Sequence, residues 1–237
     1  MKLIFLHGSG CSPIVWEQQL AHFGQGIALS LPGHPEGEAF DNVEASAKWL
    51  HEILDQAPSD EVVLVGHSLG SAIALQAAII GHTAIKGLVL IGSGARLKVL
   101  PAILQGLSYC INKGLDIPDA VLASNQGIAE PWRSRINTDI KNNGVKTLLR
   151  DFTACDHFDV MQRVSDLNIP ARVIVGEKDQ MTPPKYAQFL QDSLPQSELQ
   201  IIEGGSHMVF AEQAGKVNRI IDEFVAGLII NSAQKFA

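Results

Sequence analysis

Short, almost wholly apolar runs recur along the chain, and each gives way to a loop of Gly, Pro, His, Ser or Asp. Residues 2–6, 27–31, 61–65, 86–91, 171–175 and 198–202 all follow this pattern. Runs so short and so apolar, bounded by turn residues, predict strands buried on both faces. Between them the apolar positions switch to helical spacing, over residues 16–23, 43–56, 71–80, 185–193 and 215–228. Strands that alternate with amphipathic helices imply a parallel sheet, covered on both sides and wound with right-handed crossovers. The expected class is α/β, with residues 1–237 forming one domain.

One interval breaks the alternation. Between Gly92 and Ile169 no strand pattern stands out, and apolar residues recur at helical spacing over 97–107 and 146–152. An insertion at the carboxyl end of a strand lies over the crevice where open α/β sheets bind ligands. Residues 95–165 are therefore expected to form a helical lid. Its apolar residues, among them Leu97, Val99, Leu100, Ile103, Leu104 and Leu107, suit either packing or an apolar substrate.

Composition narrows the choice of partner. The net charge of −7 and the lack of any Lys/Arg run argue against nucleic acid. The 46% apolar content supports a sizeable core. Three widely spaced cysteines, with no CxxC, fit reduced thiols in a cytosol better than disulfides or a zinc site. The start of the chain lacks the features of a signal peptide. The apolar stretch 224–230 reads as the buried face of a last helix, not an anchor.

The chemistry-bearing motif is Gly66-His67-Ser68-Leu69-Gly70. It directly follows the apolar run 61–65 and directly precedes a helical pattern, the setting in which G-x-S-x-G is a nucleophile elbow. There the serine occupies a strained turn, and small flanking residues let backbone approach closely. The helix that follows directs N–H groups and a positive dipole end at a developing oxyanion.

On these residues the chain resembles the α/β-hydrolase superfamily, in particular its small serine esterases and lipase-like members. The resemblance implies Ser68 as nucleophile. It implies an oxyanion hole built by Ser9 N–H, in the His7-Gly8-Ser9-Gly10 loop, and by Leu69 N–H. It implies Asp179, in Gly176-Glu177-Lys178-Asp179, as the acid, with Glu177, Asp156 and Asp159 as rivals. It implies His207, in Gly204-Gly205-Ser206-His207, as the base. The other seven of the eight histidines read as structural or surface residues, His34 in a Pro-Gly-His turn among them. Cys11 reads as a packed thiol near the pocket. No cofactor and no metal are implied.

The expected reaction is cleavage of a small-molecule carboxylic ester with a small to medium acyl group, through an acyl-enzyme. A carbon–carbon bond hydrolase or cofactor-free lyase would use the same three residues, and a non-catalytic binding protein would need none of them. Family members usually begin with two further strands, so the first run at Lys2 predicts a six-stranded, all-parallel sheet. Its expected order is 27–31, 2–6, 61–65, 86–91, 171–175, 198–202. The uncharged 27–31 strand would lie at an edge, open to pairing in a homodimer or to cover by residues 32–40.

Overall fold

The computed structural model describes residues 1–57 and 61–234. The strands are β1 (Lys2–Leu6), β2 (Ile27–Leu29), β3 (Val62–His67), β4 (Ile85–Ile91), β5 (Ala171–Gly176) and β6 (Ser197–Ile202). They form one six-stranded sheet in the order β2-β1-β3-β4-β5-β6, parallel at every pair. This is the predicted sheet. The antiparallel bridge between Arg96 and Asp159 lies outside these strands.

Alternate residues of each central strand feed two cores, as a sheet buried on both faces requires. Ile4, Leu6 and Leu64 pack with Ala47 and Leu50 of α2 (Val43–Asp55) and Ile73 of α3 (Leu69–Ile80). Leu3, Phe5, Val63 and Val65 face the other way, toward Trp16 and toward Val217 and Ile221 of the last helix, Ala214–Gln234. Asn42 caps α2 by accepting the Ala45 N–H at 2.8 Å. Helix α3 is buried almost throughout, which explains why its sequence is apolar on all sides. Among the described residues no helix is long and apolar enough to cross a membrane.

Several boundaries differ from the sequence pattern, for local reasons. The second strand stops at Leu29 because the Leu31 N–H bonds to His7 Nε2 and Ser30 Oγ to the His34 carbonyl. The third strand runs on to His67 because Gly66 and His67 still pair with Leu90 and Ile91. The helix expected over 97–107 begins instead at Pro101, which occupies the first helical turn of α4 (Pro101–Lys113). The pattern at 146–152 belongs to a longer helix, α5 (Trp132–His157), broken at Gly144 (φ 83°, ψ 165°).

The registers set the carboxyl ends of the strands level: Leu6 beside Gly66, His67 beside Ile91, Ile91 beside Ile174 and Gly176 beside Ile202. The loops after β1, β3, β4, β5 and β6 therefore meet along one edge. Every sequence-predicted site residue lies at that edge.

Candidate active site

Ser68 joins β3 to α3 with φ 52° and ψ −116°, the one positive-φ residue other than glycine among those described. A side chain in that region stores about 1–3 kcal/mol of strain, which surrounding bonds must offset. Here the Ser68 N–H donates to the Ile91 carbonyl at 3.0 Å. Its own carbonyl accepts from Ser71 Oγ at 2.6 Å and from the Ser71 and Ala72 N–H groups. Glycine is required on both sides. A Cβ on Gly66 would lie 2.4 Å from the Gly70 carbonyl oxygen, and one on Gly70 would lie 2.1 Å from that of Leu6. The elbow is thus pressed against the end of β1.

That contact brings the loop after β1 to the serine. A Cβ on Gly8 would fall 3.2 Å from Ser68 Cβ, and Ser9 lines the same cavity as Ser68. Leu69 is the first residue of α3, so its N–H has no partner within the helix. Ser9 and Leu69, the residues expected to supply the two backbone donors, therefore both lie near Ser68.

His207 Nδ1 lies 2.8 Å from Asp179 Oδ2, and both side chains are buried. Asp179 Oδ1 accepts the Met181 and Thr182 N–H groups, each at 2.9 Å, and Oδ2 accepts the Thr182 hydroxyl at 2.8 Å. Burial alone would raise the Asp179 pKa. The His207 ring and the Thr182 donors outweigh it and hold the carboxyl below the usual carboxylate range. An ionised Asp179 fixes the proton on Nδ1 and leaves His207 Nε2 without a hydrogen bond among the described residues. His207 and Ser68 line one cavity, without a direct hydrogen bond between them, as is common before substrate tightens such sites.

The rival carboxylates are occupied elsewhere. Glu177 accepts the Gly204 N–H at 3.0 Å. Asp156 accepts the Val99 N–H and sits 3.6 Å from Lys98 Nζ, while Asp159 accepts the Met161 N–H.

Several contributors are invisible in the motif pattern. Thr182, three residues after Asp179, completes the carboxylate's shell; its signal is an Asp followed three positions later by Thr, an Asx-type turn. His67 donates Nε2–H to the His207 carbonyl at 3.1 Å and packs its ring 4.7 Å from the His207 ring. Burial, then His207, pushes the His67 pKa well below the ordinary histidine value, so it stays neutral. Gly92 (φ 54°) leaves room for the pair: a Cβ there would sit 3.1 Å from His207 Nδ1 and 3.4 Å from Asp179 Oδ2. Gly176 does the same for the two loops, since its Cβ would strike the Ser206 carbonyl oxygen at 2.3 Å.

The segment between β4 and β5 contributes Leu122, Asn125, Ile140, Leu148 and Phe152 to the cavity wall. Two further hollows adjoin it. One, of about 130 Å³, is lined by Ser68, Leu97, Val99, Leu100, Ile103 and Cys155. The other, of about 550 Å³, is lined by His207, Val121, Ala123, Lys178 and Ser206, and shares Ile103, Phe152, Gln180 and Met181 with the first. Cys11 lines the cavity and Cys155 the smaller hollow. Burial raises both thiols, Cys155 up to about 12, so both are protonated at neutral pH. Among the described residues no cluster of three or more His, Cys, Asp or Glu side chains is placed to hold a metal ion.

The family model described as "Alpha/beta hydrolase family" matches residues 3–220. The chain belongs to that family. It is 25% identical, over 96% of its length and 78% of the relative's, to a pimeloyl-[acyl-carrier protein] methyl ester esterase of Neisseria meningitidis. Among solved hydrolase structures it resembles a thermophilic esterase, at 33% identity and a TM-score of 0.84, covering 95% of this chain and 90% of that one. A lipase-esterase related protein from Clostridium acetobutylicum shares the fold, at 22% identity and a TM-score of 0.85, covering 94% and 93%.

Proposed function

We propose that this α/β hydrolase cleaves carboxylic esters, with Ser68 as nucleophile, His207 as general base and Asp179 as the orienting acid. The carrying observation is the pairing of a strained, cavity-lining Ser68 with a His207 whose Nδ1 is held on Asp179 and whose Nε2 is unused. The esterase relatives support the same reading.

The steps of this reading use the same groups. Ser68 Oγ attacks the ester carbonyl, and its proton passes to His207 Nε2. Negative charge develops on the carbonyl oxygen and is met by the Ser9 and Leu69 N–H groups. Asp179 stabilises the imidazolium without taking its proton. The imidazolium returns that proton to the leaving alcohol, and water, deprotonated by His207, then releases the acid from Ser68.

The two hollows divide the substrate. The acyl group stays on Ser68, so the 130 Å³ hollow that Ser68 lines suits a small to medium acyl chain. The leaving oxygen must meet His207, so the larger hollow, which His207 lines, suits the alcohol. Residues 95–165 act in this reading as a lid that shields the acyl-enzyme from bulk water. A matrix of p-nitrophenyl and alkyl esters tests the assignment. Val99→Phe should shorten the preferred acyl chain and leave alcohol preference alone, and Ala123→Phe should do the reverse. Exchanged effects would invert the subsites. Turnover of β-diketones in place of every ester tried would replace the reaction class.

A further inference from the structure

Four side chains of α5 grip the loop after β1. Ser12 Oγ donates to Asp139 Oδ1 at 2.8 Å. Asn143 Nδ2 donates to the Gly10 and Cys11 carbonyls at 3.0 and 3.2 Å. The Gly10 N–H donates to Asp151 Oδ2 at 2.8 Å, and Ser9 Oγ meets Cys155 Sγ at 3.6 Å. The four lie in two i, i+4 pairs, one on each side of the break at Gly144, and such pairs share a helix face.

Asp151 is the hub. Its side chain is 4% exposed, and Oδ2 also accepts His34 Nε2–H at 2.7 Å, while Oδ1 accepts from Arg150 at 3.1 Å. His34 Nδ1 faces the Leu31 carbonyl at 3.0 Å, so both ring nitrogens are held by protein oxygens. His7 packs on that ring with centroids 4.8 Å apart; it donates Nδ1–H to the Gly8 carbonyl and accepts the Leu31 N–H. A buried His–Asp contact is a poor device for stability alone, since apolar packing does as well. This one is spent on a single backbone N–H, next to the peptide that carries the Ser9 donor.

We propose that Asp151, backed by His34, is a positioning residue that sets the oxyanion loop from α5. This rests on the ester-hydrolase reading above. The Gly10 N–H bond fixes the peptide plane between Ser9 and Gly10, and with it the direction of the preceding Ser9 N–H. Without the carboxylate the buried Gly10 N–H has no charged acceptor, and the loop can relax away from the place where the oxyanion forms.

The test measures kcat, KM and the affinity of a boronic acid, which mimics the tetrahedral adduct, in Asp151→Asn and His34→Gln. Asp151→Asn should lower kcat by about 10- to 100-fold, the scale of a roughly 1 Å misplacement, with KM changed less than about threefold. Boronate affinity should fall by a similar factor. His34→Gln should give a smaller loss of the same kind, and stands alone if Asp151→Asn does not fold. Leu54→Ala, a core truncation in α2 remote from the loop, controls for destabilisation and should lower the melting temperature with kcat kept. Unchanged kcat in folded Asp151→Asn, or a raised KM with kcat kept, overturns the positioning role. Turnover retained by Ser68→Ala would instead overturn the reading beneath it.

Discussion

Two buried His–Asp pairs lie within this fold, and nearly everything about them matches except the use of the second ring nitrogen. His207–Asp179 closes at 2.8 Å and His34–Asp151 at 2.7 Å. Each carboxylate also accepts backbone N–H, and each imidazole packs on a second buried histidine, His67 or His7. In the first pair Asp179 takes Nδ1 and leaves Nε2 unused. In the second Asp151 takes Nε2 and the Leu31 carbonyl takes Nδ1. An imidazole whose two nitrogens are both held by protein oxygens presents neither to a substrate, however well a carboxylate orients it. A His–Asp contact thus identifies a candidate base only when one nitrogen still faces a cavity.

The contrast is sharpest at the carboxylates. Asp179→Asn should lower kcat by about 10⁴, because the amide favours the wrong imidazole tautomer. Asp151→Asn should cost about 10- to 100-fold, through loop placement alone. Steady-state kinetics on one ester compares them directly, and equal losses would erase the distinction between the pairs. Thr182→Val removes one donor from Asp179 Oδ2 but keeps both N–H bonds to Oδ1. A loss in kcat of about tenfold is expected, part of the ~1.5–3 kcal/mol carried by a charged hydrogen bond. A loss as large as that of Asp179→Asn would shift the orienting role from the carboxylate to the threonine.

The smallest effect concerns the neutral partners. Burial, helped by His34, holds the His7 pKa down to about 3. A histidine in the unfolded chain takes up its proton near ~6.5. Between those values the unfolded state binds more protons, so stability from this group is complete above about 6.5 and is lost as pH falls toward 3. His7→Gln should flatten the decline of the urea midpoint between about pH 7 and about pH 5. An unchanged slope would mean that His7 is not the neutral group described.

The sheet was legible because strands buried on both faces leave almost no polar residues in their sequence, as in Val62–Val65. Ser68, His207 and Asp179 were legible because each follows such a run in a short loop with fixed punctuation. Thr182, His67 and Gly92 were not, because their roles depend on contacts between loops far apart in sequence. The grip of α5 on Ser9–Ser12 was hidden for the same reason, and because no motif surrounds Asp139, Asn143 and Asp151. His34 was seen as a structural turn residue, but its buried partner lies 117 positions away. The break at Gly144 also divided one long helix into weaker patterns.

The most direct test of the central claim is covalent labelling. The native protein is treated with a fluorophosphonate, the modified residue is mapped by mass spectrometry, and ester turnover is followed in parallel with Ser68→Ala. An adduct on Ser68 alone is expected, with labelling and turnover both lost in the variant. An adduct on another serine, or turnover that survives Ser68→Ala, would contradict that claim.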